Sequence, residues 1–98
     1  MAMKDILQQD RRLVILRVLN ESAAYTANES ILDESLDRLG HKVSRDLVIT
    51  EMHWLEEQSL ISIDEAFNTK VATLTQRGID VAEGQTTHPG VKRPSPTL

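Results

Sequence analysis

Residues 60–78, LISIDEAFNTKVATLTQRG, decide the fold. Upstream of Leu60 the apolar residues recur at helical spacing. From Leu60 two β-branched runs, LISIDE and KVATL, are joined by AFNT, a linker of hairpin length. Asn68 supplies the positive φ that such a loop often needs. Thr75 is placed to cap a short final helix running to Ala82 or Glu83 and ending at Gly84. A lone hairpin set between helices is the feature that the remaining chain must explain.

Just before the hairpin, Ser44 is an N-cap for a helix running to about Gln58, with Asp46 favourable in its first turn. Leu47, Val48, Met52, Trp54 and Leu55 form its apolar stripe. Arg45, Asp46, Ile49, Thr50, His53 and Glu57 lie on the other face. Glu51 falls inside the apolar stripe, where pairing with a nearby arginine is the simplest account. The preceding helix has Ile31, Leu32, Leu36 and Leu39 as its inner stripe, with Gly40 as the residue that closes it. Its start carries the spacing of a capping box, Thr26-Ala27-Asn28-Glu29. Tyr25–Asn28 suits a very short strand.

The first helix spans about Asp5–Asn20. Its back half, LVILRVL, is apolar around the whole axis, interrupted only by Arg17. A helix of that kind is buried on all sides. It is either the centre of its own fold or meets another subunit, which makes Ile15, Leu16 and Leu19 candidates for a homodimer or partner contact. The order is helix, short strand, helix, turn, helix, hairpin, short helix. This predicts a mainly α, α+β chain: a winged helix-turn-helix domain over residues 1–84 whose hairpin is the wing. Residues 85–98 hold all three prolines and read as a flexible tail.

Composition narrows the function. The chain has 98 residues, room for one modest core, and one Trp, one Tyr and one Phe, so aliphatic residues must build it. It has no cysteine, which excludes disulfides, thiol chemistry and Cys-based zinc sites and fits a reducing cytoplasm. No apolar run suits a membrane span and no secretory leader is visible. A soluble cytoplasmic protein is expected. With 11 basic against 15 acidic residues the net charge is −4, so any polyanion contact must come from a local patch.

The segment MHWLEEQSLISIDE…KVATLTQRGIDVAEG resembles the end of the recognition helix, the wing and the closing helix of winged-helix regulators of the ArsR, PadR and MarR type. Over nearly its whole length, tail HPGVKRPSP included, the chain is more closely similar to small winged-helix proteins of Mu-like phages and prophages. The resemblance implies a DNA-binding, transcription-regulating fold. It departs at Ser59, where the regulator pattern has glycine, and in lacking the cysteines of ArsR-type metal sensors.

In a helix-turn-helix the recognition helix offers its N-terminal and outward residues to the major groove. Here those are Ser44, Arg45, Ile49, Thr50 and His53, with Lys42 in the turn and Lys70 in the wing as phosphate contacts. Against this, residues 41–58 set Lys42 and Arg45 against Asp46, Glu51, Glu56 and Glu57, and Asp64 and Glu65 accompany Lys70. Two readings follow: a winged-helix binder of double-stranded DNA, or an adaptor that kept the fold and contacts a phage or host protein through the first helix or Phe67. Arg11, Arg12 and Arg17 read as a solvated face salt-bridged to Asp5, Asp10 or Glu21, and Trp54 as core. His41, His53 and His88 lack metal-ligand spacing, and no phosphate loop, nucleophile elbow or HExxH occurs. The chain is expected to be no enzyme and to carry no cofactor or metal.

Overall fold

A computed structural model describes residues 2–95. Its elements are α1 (Met3–Glu21), β1 (Thr26–Asn28), α2 (Glu29–Arg38), α3 (Arg45–Glu57), β2 (Ile61–Ala66), β3 (Thr69–Leu74) and α4 (Gln76–Ala82), with a 3-10 turn at Ala23–Tyr25. The three strands form one antiparallel sheet in the order β1-β3-β2. This is the expected α+β, winged-helix-type arrangement.

The hairpin turns through two residues only. Ala66 pairs with Thr69, and Phe67 and Asn68 both take left-handed φ, 52° and 64°. Such a turn twists with its strands, which is why it is favoured in tight hairpins. β3 lies at the centre of the sheet, with Ala72 opposite Ala27 of β1 and Ile63 of β2. Ile61, Ala72 and Leu74 face the core.

Local chemistry sets the helix ends. The side chain of Ser44 accepts from the Leu47 N–H at 3.1 Å and that of Thr75 from the Gly78 N–H at 3.0 Å. At the end of α2, Gly40 takes φ 95° and the His41 N–H returns to the Leu36 carbonyl at 2.8 Å. α3 ends in the same way, but with Ser59 at φ 63° in the position that favours glycine. The start of α2 differs from expectation. Thr26 belongs to β1, where its hydroxyl lies 3.1 Å from that of Thr73, and the cap is Asn28, whose side chain accepts from the Ile31 N–H at 2.8 Å. Pairing with β3 holds Thr26 in the strand, two residues short of the helix.

α1 is the central helix. Ile15, Leu16 and Leu19 are 0% exposed, packed in one cluster with Leu32, Leu36, Val48, Met52, Leu55, Leu60 and Ala72. That corrects their assignment as dimer or partner contacts, because the chain's own helices and sheet already surround them. Ile31 and Leu39, expected on the inner stripe of α2, instead face solvent. The segment after α4, read from its composition as a flexible tail, lies back against α1 at Gly90 and Lys92. Val91 is buried, and the Lys92 N–H donates to the Gln9 carbonyl at 3.1 Å. Residues 96–98 of that expected tail lie outside the described residues. Among the described residues no helix is long and apolar enough to cross a membrane.

Candidate nucleic-acid interface

The residues expected to meet DNA are largely engaged with their own chain. The Ser44 hydroxyl is the α3 cap, and the Thr50 hydroxyl donates to the Asp46 carbonyl at 3.0 Å. Arg45 Nε donates to Asp33 Oδ2 at 3.1 Å, and its Nη1 lies 3.7 Å from Glu29 Oε1. Lys42 Nζ is 3.1 Å from Asp37. Lys70 Nζ is 3.7 Å from Glu65, while its backbone N–H donates to Glu29 Oε2 at 3.3 Å. His53 sits 3.7 Å from Glu56, and Ile49 is half-buried.

Glu29 thus joins the wing to the start of α3. With Asp33 and Asp37 it forms an acidic stripe at four-residue spacing on α2, opposite the two cations of the turn and recognition helix. The four-residue spacing itself stands in the sequence, but its pairing with Lys42 and Arg45 is set by the packing of α2 on α3. On α3 itself Asp46, Glu56 and Glu57 are exposed. The outward face of α3 therefore carries exposed carboxylates, and the cations Lys42 and Arg45 have acidic neighbours on α2.

A second constellation is buried behind α3. Glu51 accepts from Arg12 Nε at 2.8 Å and from Arg11 Nη1 at 3.0 Å. Its place in the apolar stripe is explained by arginine pairing, with two partners rather than one. Arg12 also donates from Nη1 to the Gly90 carbonyl at 3.1 Å, and its guanidinium lies 3.7 Å from the centre of the Trp54 ring. Trp54 is half-buried against the core cluster and meets His88 edge-on at 5.8 Å. Arg11 and Arg12 are therefore not part of a solvated basic face. Among the described residues Arg17 is left exposed without an ion pair, and no group of three or more His, Asp or Glu is placed to hold a metal.

Two histidines tie the tail and the α2–α3 turn to this knot. His41 Nε2 lies 2.7 Å from Asp10 Oδ2, and Lys92 Nζ lies 3.4 Å from Asp10 Oδ1. His88 Nε2 bonds Gln58 Oε1 at 3.0 Å. Burial raises the pKa of Asp10, but hydrogen bonds and charge from His41 and Lys92 outweigh it and hold the carboxyl below its usual value. Asp10 therefore stabilises the fold above the ordinary carboxylate range, and that contribution is lost as pH falls through the lowered value. Burial, followed by the charge of Arg77, depresses His88 below the ordinary histidine value. Between the two His88 values the unfolded chain holds a proton that the folded chain does not, so the docked tail loses stability as pH falls below about 6.5. The expected result is an NMR titration midpoint for the His88 ring below the usual histidine value. Amide protection across residues 88–92 should fall with acidification in the native chain and change less in His88→Gln.

No protein-family model matches the chain. It is 53% identical over 92 residues to an Escherichia phage Mu protein described as uncharacterized protein gp26, an alignment covering 94% of this chain and 95% of the relative. It is also 53% identical over 78 residues to an uncharacterized protein of Haemophilus influenzae, covering 79% of this chain and 76% of that one.

Proposed function

The chain belongs to the family of the phage Mu protein gp26, and from that premise we propose that it is a phage or prophage winged-helix module that binds protein rather than DNA. The observation that carries this reading is the pairing of Lys42, Arg45 and Lys70 with Asp37, Asp33, Glu29 and Glu65. Non-specific affinity for DNA comes from neutralising phosphates. A duplex at this face would have to compete with those carboxylates and approach Asp46, Glu56 and Glu57. In this reading the chain shares ancestry with the ArsR, PadR and MarR regulators, works in the host cytoplasm, and has lost the surface with which they read DNA.

The wing offers a different contact. Phe67 is fully exposed at its tip and held in a left-handed conformation that bulky residues avoid. An exposed aromatic in that position suits an anchor for an apolar pocket. Asp64 and Glu65 beside it favour a partner whose pocket has a basic rim.

The test is an amide-shift titration with a mixed-sequence duplex at low and at higher salt. The native chain is expected to show no salt-sensitive shifts. The variant Glu29→Gln/Asp33→Asn/Asp37→Asn, which frees Lys42 and Arg45, is expected to acquire them. Shifts of the native chain centred on residues 42–53 and the wing, shrinking as salt rises, would overturn the proposal in favour of a DNA-binding transcriptional regulator.

A further inference from the structure

α1 and α2 leave between them an open groove of about 610 Å³, with Val14 and Val18 on one wall and Ile31 and Leu39 on the other. Ile31 and Leu39 stand two turns apart on α2 and are 49% and 60% exposed. They are the members of its apolar stripe that the core does not take up, since Leu32 and Leu36 alone pack inward. Arg17 and Glu21, one turn apart on α1, also line the groove. Both are exposed, and among the described residues neither makes an ion pair, whereas Arg11, Arg12, Arg38 and Arg45 all do.

We propose that this groove is where a second copy of the chain docks, about a two-fold axis beside α1, with Arg17 of each copy paired to Glu21 of the other. A groove edged by one sign of charge would select a ligand of the opposite sign. One edged by a cation and an anion a single turn apart on the same helix is complementary to its own copy run antiparallel. In such a contact residue i meets j and j meets i, so both pairs form together. The two copies bury the exposed apolar walls of the groove against each other. The interface uses the outer side of α1 and leaves Ile15, Leu16 and Leu19 in the core. The proposal does not depend on what the wing or α3 binds, so it stands or falls separately from the proposed function.

Sedimentation velocity at micromolar concentration is the first test, with an expected mass twice that of the 11.0 kDa chain. Ile31→Glu and Leu39→Glu alter exposed positions, so each is expected to keep the native circular dichroism and melting temperature while becoming monomeric. Arg17→Glu and Glu21→Arg each place like charges at both pairs, and each alone is expected to weaken association by tenfold or more. Mixing these two variants in equal amounts makes both pairs attractive again and should restore a dimer containing one copy of each. A monomeric native chain overturns the proposal. So does a dimer that survives Leu39→Glu, or a mixture of the two charge variants that stays apart.

Discussion

Glu51→Ala is expected to destabilise the chain by about 3–5 kcal/mol, the cost of breaking a buried ion pair from one side. Glu51 is 1% exposed and holds Arg12 at 2.8 Å and Arg11 at 3.0 Å. Removing it leaves two nearly buried guanidinium groups without the carboxylate that they share. Arg12 keeps only the Gly90 carbonyl and the Trp54 ring, neither of which carries a negative charge. The loss is large against the total of about 5–15 kcal/mol that holds a typical domain together. Urea unfolding followed by Trp54 fluorescence measures it. The cost belongs to the orphaned charges and not to the missing carboxylate alone, so Glu51→Leu combined with Arg11→Met and Arg12→Met should recover much of it. A loss in Glu51→Ala below about 1 kcal/mol, as found for exposed pairs, would mean that the pair is solvated.

Glu51 also marks what the sequence discloses and what it does not. Helical angle alone places a carboxylate inside the apolar stripe of α3, and arginine pairing is only the simplest guess at its partner. It did not choose among the arginines, because the partners lie 39 and 40 residues away in the chain. Features set by neighbouring residues were legible: the caps at Ser44 and Thr75, the left-handed Gly40 and the left-handed Asn68, although strand pairing of Ala66 with Thr69 shortens the expected AFNT linker to a two-residue turn. Features set by distant contacts were not. β3 takes Thr26 into the sheet and moves the α2 cap to Asn28. The tail docks through the Gly90 carbonyl, the buried Val91, the Lys92 N–H and the ring of His88, within a segment whose composition resembles a linker. The candidate interface followed the same rule. The sequence named the residues of α3 that face outward, but which carboxylates reach them depends on how α2 packs against α3.

The second large effect is Gly78→Ala, expected to cost about 3 kcal/mol through overpacking against fixed backbone. Gly78 lies in the first turn of α4, where alanine would ordinarily favour the helix by about 1 kcal/mol. Packing reverses that sign. A methyl group there collides with the Leu60 carbonyl oxygen and comes within 2.6 Å of Leu74 Cδ1. A flexible side chain can move aside, but Leu60 cannot readily do so. Its N–H is bonded to the Leu55 carbonyl in the cap of α3, and its carbonyl accepts from the Thr75 N–H at 3.1 Å. Leu60 is thus the point where the end of α3, the start of the wing and the start of α4 are joined. Pushing α4 off it strains the Thr75 cap and the Thr75 hydroxyl bond to the Ser59 carbonyl at 2.8 Å. Denaturant unfolding should show the full loss in Gly78→Ala. The added substitution Leu74→Val should restore little, because the carbonyl and not the leucine side chain is the obstacle. If Gly78→Ala unfolds within about 0.5 kcal/mol of the native chain, the range of ordinary surface changes, then α4 does not rest on Leu60 and the wing is not anchored there.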